Sequence, residues 1–548
     1  SHHGAVNRES DQRVHVTVPS SGASQPGNFM LTYVLEQKEG APSMAFLAYP
    51  DKDEAGQRTD DGYFMLLLGL PSAERSEAFP PREVTLVIDR SGSMRGEKIE
   101  QAKAAAMQVI EALDDGESFN IIDYSDSISM FAERAVVRSA ETVEQARAYV
   151  ESIRAIGGTN IHDALTRAVA TPPREGAVSI VLFLTDGLPT VGQTNEVAIR
   201  DAVKGANEAG RRVFTFGVGT DVNVPLLSGI SGDSRATSSF VLPDEDVEVK
   251  VGKVFRQLHG PVLAFPTLEV MSPDGKIDAN RLRDVQPRVL PDLFASDQLV
   301  IFGRYVGDEP LQVVLGGSAF GEDIRHEFSF NVAKASLENV FVPRLWATRQ
   351  IASLTDQIRE HGASGVTDPD DPRVKELIDE VIRLSLEFGI LTEYTAFLAA
   401  EEDAAVALGD GRTRRRVLEE AERISETAMR DRSGAGAVRR QLELQAQTDR
   451  GVMNKLNRVV GDDYRAVESL AICQTQDQTL YMRNGRWIDA RVMQKASVEP
   501  DEVVEFASDR YFTICNTLID EGRQSVLAFN NEILIDFEGR NVLLAAPN

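Results

Sequence analysis

Sulfur and imidazole are scarce in this chain. Among 548 residues there are two cysteines, Cys473 and Cys515, and seven histidines. So few cysteines exclude a disulfide-stapled scaffold and a four-cysteine zinc site; these two can pair or stay as free thiols. Positive charge is also in deficit. Against 85 Asp+Glu there are 58 Lys+Arg, a formal net charge of −27. Nucleic acid and anionic membranes are excluded as main partners, because phosphate binding needs clustered Lys and Arg. No apolar run approaches the ~18–20 residues that span a bilayer. No leader peptide is evident either, and the start Ser1-His2-His3 reads as a processed end, an engineered scar or an incomplete N-terminus. What is present in ordinary amounts is apolar residues, at 42%, with unexceptional glycine and proline. That composition describes a folded chain of several domains.

Catalytic signatures are missing as well. No G-x-S-x-G turn, phosphate-binding loop or G-x-G-x-x-G follows a strand. His326-Glu-Phe-Ser-Phe330 lacks the second histidine of a zinc-protease helix and reads as a strand. His162 reads as a surface histidine at a helix start. Thr367-Asp-Pro-Asp-Asp-Pro372 lacks the spaced ligands of a calcium loop and reads as a linker ending in a helix N-cap. Arg412, Arg414, Arg415 and Arg416 are followed by Glu419, Glu420 and Glu422, the pattern of a solvated helical face.

The pattern along the chain changes twice. Phe29–Glu36, Met44–Tyr49 and Tyr63–Leu70 are short strand-like runs. From Glu83 the runs Val84–Ile88, Phe119–Tyr124, Ser179–Leu184 and Val213–Val218 are continuously apolar, as parallel strands buried on both faces must be. Helical periods lie between them, for example Ile99, Ala102, Ala106 and Val109. Alternating strands and helices imply a doubly wound α/β sheet. After Pro261 strands return at Thr267–Met271, Gln298–Tyr305, Leu311–Leu315 and Glu327–Val332, which predicts one β-sandwich split by the α/β insertion, with two separate small β domains as the alternative. The expected domains are a sandwich over 1–82 and 261–335, an α/β domain over 83–260, a helical region over 336–408, a charged helical linker over 409–460 and a small C-terminal domain over 461–548. In that last domain Thr479–Met482, Arg486–Val492, Gln524–Phe529 and Ile533–Phe537 read as its ordered segments, mixed α/β or β.

One constellation carries chemistry. The first α/β strand ends in Asp89-Arg90-Ser91-Gly92-Ser93, and later come Gly157-Gly158-Thr159-Asn160 and Thr185-Asp186-Gly187. Loops beyond the carboxyl ends of an open α/β sheet converge at the topological switch point. Asp89, Ser91, Ser93, Thr159 and Asp186 are therefore expected to face one another. All five offer hard oxygen, which suits Mg²⁺ first, with Ca²⁺ or Mn²⁺ as alternatives, and disfavours zinc and copper. Two carboxylates balance a divalent charge, and neutral hydroxyls complete the shell without quenching the ion.

These residues resemble the metal-ion-dependent adhesion site of von Willebrand factor type A domains. Asp61–Leu68, Leu184–Thr190, Gly217–Asn223, Asp292–Tyr305 and Pro343–Ala347 look like heavy chains of the inter-α-trypsin inhibitor family and their bacterial relatives. The likeness covers roughly residues 30–400. It departs from the family in two places: nothing here matches the family's N-terminal VIT domain, and its C-terminal Asp-Pro-His motif is absent, so glycosaminoglycan chemistry is not carried over. The resemblance implies a binding protein outside the cytoplasm, with no catalytic residues, whose divalent cation captures an Asp or Glu of a partner protein. A further expected partner is the N-terminal fragment of the chain's own precursor, paired to an exposed sandwich edge. The alternatives are a structural subunit of a larger extracytoplasmic complex and an intracellular partner of an ATPase.

Overall fold

The computed structural model describes residues 5–10, 13–17, 43–52, 58–69, 80–258, 261–272, 274–294, 298–319, 322–364, 371–395, 411–448, 458–460, 466–468, 472–474, 479–521 and 523–546. A first unit, Ser1–Ala41, contains the antiparallel pair β1 (Ala5–Ser10) and β2 (Arg13–Thr17). The expected strand Phe29–Glu36 lies outside the described residues. All other elements belong to a second unit, Pro42–Asn548.

That unit opens with β3 (Ser43–Lys52) antiparallel to β4 (Arg58–Gly69). The chain then builds an α/β layer structure from β5 (Arg82–Asp89), α1 (Glu97–Glu111), β6 (Ser118–Tyr124), β7 (Ile128–Met130), β8 (Val136–Val137), α2 (Ala140–Ser152) and α3 (Ile161–Ala170). It continues through β9 (Val178–Thr185), α4 (Glu196–Ala206), β10 (Arg212–Val218), α5 (Val224–Asp233), β11 (Ser238–Val241) and α6 (Val247–Gln257). The sheet order is β11-β10-β9-β5-β6-β7, with β8 also on β6. Strands β5, β6, β9, β10 and β11 run parallel, and every residue of β5, β6, β9 and β10 is buried. Helices on both faces exclude water from these strands, and that explains their unbroken apolar sequence. Because β6 lies on one side of β5 and β9 on the other, the winding reverses between β5 and β9.

Strands β12 (Pro261–Met271), β13 (Leu282–Gln286), β14 (Leu293–Phe294), β15 (Gln298–Tyr305), β16 (Leu311–Ala319) and β17 (Glu322–Phe330) follow. They form two four-stranded sheets, β14-β12-β16-β17 and β13-β15-β4-β3. The antiparallel register of β15 with β4 runs from Gly62 opposite Tyr305 to Gly69 opposite Gln298, so strands on either side of the α/β unit share a sheet. One face of β4 sends Phe64, Leu66 and Leu68 between the two sheets, against Ile301, Val313 and Leu315. The other face sends Tyr63 and Met65 against Trp346, Ile378 and Val381 of α7 (Phe341–His361) and α8 (Pro372–Phe388). A strand covered on both faces reads as a continuous apolar run, which Tyr63–Leu68 does. Of the turn-rich Thr367–Pro372 segment only its last two residues are described. There the Asp371 carboxylate accepts from the Arg373 amide and caps α8.

Helices α9 (Gly411–Arg430) and α10 (Gly434–Thr448) are amphipathic. Arg414, Arg415 and Arg416 are exposed while Val417, Ala421 and Ile424 are buried. The turn between them is fastened to the α/β unit. The Arg432 guanidinium donates to Glu196 (Nε to Oε1, 2.9 Å) and to the Arg359 carbonyl (2.7 Å). The Arg432 carbonyl accepts from the Val224 amide at 3.0 Å, and the Gly434 amide donates to the Thr220 carbonyl at 2.7 Å. Ala437 and Val438 complete the hydrophobic cluster formed by Val222, Val224 and Leu227.

The C-terminal part is a mixed six-stranded sheet with a helix at Asp509–Asp520. Within Arg486–Val492 the strand ends at Asp489, whose carboxylate accepts from the Arg491 amide and starts a short helix, Ala490–Met493. Gln524–Ala528 is a 3₁₀ turn. Cys473 and Cys515 are free thiols, and burial pushes both above the usual thiol range.

Gly62 marks the tightest point of the β3–β4–β15 sheet. A Cβ there would lie 2.3 Å from the Tyr49 carbonyl oxygen and 2.4 Å from the Tyr305 hydroxyl. The backbone carbonyl cannot swing aside, so Gly62→Ala should destabilise the protein by about 1–3 kcal/mol. Urea unfolding measures this; an unchanged midpoint would show that the sheet relaxes at no cost.

Candidate metal centre

Asp89 is the last residue of β5, and Thr185 the last of neighbouring β9. The reversal between these strands leaves an open crevice at their carboxyl ends. Three loops close over it, held mainly by their own backbones. The Gly92 amide donates to the Gly157 carbonyl at 2.9 Å, and the Ile156 amide to the Arg90 carbonyl at 2.8 Å. Thr159 donates its amide to Thr190 Oγ1 at 2.9 Å and accepts from the Thr190 amide at 3.0 Å. Gly157 sits at φ +91°, and a Cβ on it would meet Asp126 Oδ2 at 2.3 Å. Glycine is required there both for the backbone and for space.

Asp89, Asp186, Ser91 and Thr159 are almost fully buried, whereas Ser93 is exposed. Asp89 Oδ1 accepts from the Ser91 amide at 2.7 Å. Its Oδ2 accepts from Thr185 Oγ1 at 2.7 Å and from the Tyr124 hydroxyl at 3.3 Å. Ser91 and Ser93 share a hydrogen bond of 2.9 Å between their hydroxyls, and Ser93 Oγ donates to Asp186 Oδ1 at 2.7 Å. Asp186 Oδ2 accepts from Lys98 Nζ at 2.6 Å. A third carboxylate nearby, Asp123, is fully engaged by Arg90 Nε and the Tyr149 hydroxyl, both at 2.5 Å. Burial pushes the Asp89 carboxyl above its usual range, against the hydrogen bonds from Thr185 and Ser91, and the negative charge of Asp186 adds to the rise. The Tyr124 phenol is pushed well up by burial and by Asp89, so it stays protonated and donates.

These residues fit a hard divalent cation. The donors are two carboxylates and three hydroxyls. Asp89 is bonded only by neutral donors, so its ionised form has no cation of its own among the described residues. Two of the donors face each other across Gly187. Thr159 Oγ1 and Ser93 Oγ lie 3.5 and 3.7 Å from the point where a side chain on that glycine would begin.

The structure brings the five sequence-named residues to one crevice. It also supplies three that sequence reasoning missed: Tyr124 and Thr185, which hold Asp89, and Lys98, which holds Asp186. Thr185 was adjacent to a named residue and Tyr124 ends the neighbouring strand. Lys98 had a weaker signal, as the basic residue of a first helical turn that otherwise carries Glu97 and Glu100. His162 bonds its neighbour Asp163 at 2.7 Å.

An open, mostly parallel sheet with its loops gathered at the β5/β9 reversal is the α/β architecture of the von Willebrand factor type A domain. Residues 83–257 match the family model of that domain, and this chain contains one. Beyond the domain, the chain is similar to inter-alpha-trypsin inhibitor heavy chains. It is 28% identical to heavy chain H4 of Homo sapiens over 341 residues, 59% of this chain and 35% of that protein. It is 27% identical to heavy chain H6 of Homo sapiens over 379 residues, 63% of this chain and 27% of that protein. The chain thus spans about a third of the length of the curated relatives it matches. Among solved structures, a von Willebrand factor type A protein from Catenulispora acidiphila aligns with TM-score 0.46 and 15% identity, covering 71% of this chain and 98% of that one.

The raised pKa of Asp89 has a defined sign. A carboxyl that holds its proton more tightly in the folded state favours folding at low pH, and that advantage is lost as pH rises through the folded value. In EDTA, Asp89→Asn should therefore gain on the wild type from about pH 4 upward. Thermal melts over a pH series measure this. A constant difference between the two proteins would show that Asp89 titrates as in the unfolded chain.

Proposed function

We propose that Asp89, Ser91, Ser93, Thr159 and Asp186 bind one divalent cation, Mg²⁺ first and Ca²⁺ or Mn²⁺ as alternatives. The bound ion would offer an open coordination position to the carboxylate of an Asp or Glu on a partner protein. The observation that carries this reading is the pair of buried carboxylates at neighbouring strand ends, with the Ser93 hydroxyl bonded to Asp186 and to Ser91 and the Thr159 hydroxyl facing Ser93 across Gly187. Asp89 and Asp186 supply the negative charge, the hydroxyls supply neutral donors, and the backbone-tied loops fix the spacing before the ion arrives. The apolar rim supports a protein ligand. Ile156 and Leu188, 58% and 39% exposed, stand on two of the loops that carry the donors. Apolar side chains around a charged centre suit a macromolecular interface, where they exclude water from the central contact.

The reading is of a binding module with no catalytic residue, working outside the cytoplasm. The type A domain and the likeness to the heavy chains support it. Among the described residues no helix is long and apolar enough to cross a membrane. We also propose that the α/β domain is an insertion in the β-sandwich, which the pairing of β4 with β15 supports.

Adding Mg²⁺ at a hundredfold excess over its Kd should stabilise the protein by about 2.7 kcal/mol, and EDTA should reverse the gain. Asp89→Ala should lose both metal binding and metal-dependent partner capture while remaining folded, because the sheet core beneath is apolar. Calorimetry paired with a pull-down checks this. Equal metal affinity in the two proteins, or a partner retained in EDTA, would remove the proposed function.

A further inference from the structure

We propose that Lys98 is a resident counter-cation of this centre, which weakens metal binding taken alone and makes the loaded site electropositive toward an anionic ligand. The inference rests on the reading of the five oxygen donors as a divalent-cation site, and it assigns a role to a residue outside that set.

Four observations carry it. The Lys98 ammonium lies 2.6 Å from Asp186 Oδ2 while Ser93 takes Oδ1, so the carboxylate already has a cationic partner. The lysine stands at the second position of α1, where the positive end of the helix dipole disfavours a cation, and the flanking Glu97 and Glu100 follow the normal preference. Asp186 is the feature that offsets this unfavourable position. The side chain is also packed along its length. It runs beside Gly219, in the loop after β10, where even a Cβ would sit at ordinary contact distance, 3.6 Å from Nζ and 3.8 Å from Cε. Finally, the Lys98 side chain is 36% exposed while Asp186 is fully buried, so the ammonium can swing toward water without unpacking the sheet. Other cations of these loops are directed elsewhere, Arg90 to Asp123 and Arg95 to the Ala155 carbonyl.

The charge balance follows. With both carboxylates ionised and Lys98 in place, the centre carries one net negative charge. A dication then leaves one net positive charge, which a single ligand carboxylate cancels. Without Lys98 the loaded centre is already neutral. Lysine therefore shifts affinity from the ion alone to the ion together with its acidic ligand, and the two bind cooperatively. A dication one carboxylate group away, at ~5 Å, meets a repulsion from the ammonium that even at the dielectric constant of water converts to about tenfold in affinity.

Calorimetric titration with Mn²⁺ tests this on the full chain, comparing wild type, Lys98→Met, Lys98→Arg and Asp89→Ala. Each is repeated with acetate as the carboxylate probe and corrected for acetate–Mn²⁺ association in buffer. Lys98→Met should bind Mn²⁺ at least about tenfold more tightly than wild type. Lys98→Arg, which keeps the charge, should not gain affinity. Acetate should strengthen Mn²⁺ binding in wild type and do so less in Lys98→Met. Equal or weaker Mn²⁺ binding in Lys98→Met, or an equal gain in Lys98→Arg, overturns the role given to Lys98 and leaves the metal site standing. Absence of Mn²⁺ binding from both wild type and Lys98→Met, or its persistence in Asp89→Ala, overturns the metal site itself.

Discussion

Two carboxylates at the ends of neighbouring strands, Asp89 on β5 and Asp186 just beyond β9, set the terms for the surrounding loops. Beneath them the sheet is apolar and closed by helices, so the charge cannot be solvated from below. It must be met from above or from the side, and the structure uses neutral hydroxyls, one phenol and one ammonium to do so. Burying a carboxylate without a charge partner is costly. That cost is the physical reason for reading the crevice as a place for a cation. It also explains why the loops are fixed by backbone hydrogen bonds, since a loosely held pair of like charges would separate.

Outside the α/β unit the packing is organised around β4 and its neighbour β15. Each serves the sandwich core on one face and the helical core on the other, with Phe64, Leu66 and Leu68 opposed to Tyr63 and Met65 on β4, and Ile301 to Phe302 on β15. Pairing β4 with β15 joins strands from both sides of the α/β unit in one sheet, while the chain leaves that unit into β12 of the facing sheet. The register is demanding because Gly62 and Gly303 leave no room for a Cβ. At Gly303 it would fall 2.6 Å from the Phe64 ring.

Much of the fold was legible because its signals are local. Continuous apolar strands such as Val84–Ile88 and amphipathic helices such as Ile161–Ala170 carry their own periodicity. The convergence of Asp89, Ser91, Ser93, Thr159 and Asp186 was legible because strand ends of an open sheet meet by topology. Lys98 was not, because its role depends on a side chain reaching from α1 to a loop nearly ninety residues away. Gln524–Ala528 was legible only as an ordered segment, because a short apolar run does not distinguish a strand from a 3₁₀ turn. The ending of the strand at Asp489 followed from a capping carboxylate whose geometry no spacing rule reveals.

The Arg432 turn changes what counts as the body that carries the crevice. The loop that starts at Asp186 ends at Glu196, and the loop beside Lys98 runs from Gly219 to Asn223. Both finish on contacts with the α9–α10 turn, Asn223 and Arg432 sharing Glu196 between them. A fragment cut at residues 83 and 257 would keep all five oxygen donors and Lys98. It would lose the guanidinium that neutralises Glu196, the acceptor of the Val224 amide, and the Ala437 and Val438 side chains that cover Val222 and Leu227. The contacts that seat these loops therefore reach beyond the recognisable domain, to residues more than 170 positions downstream of its last helix.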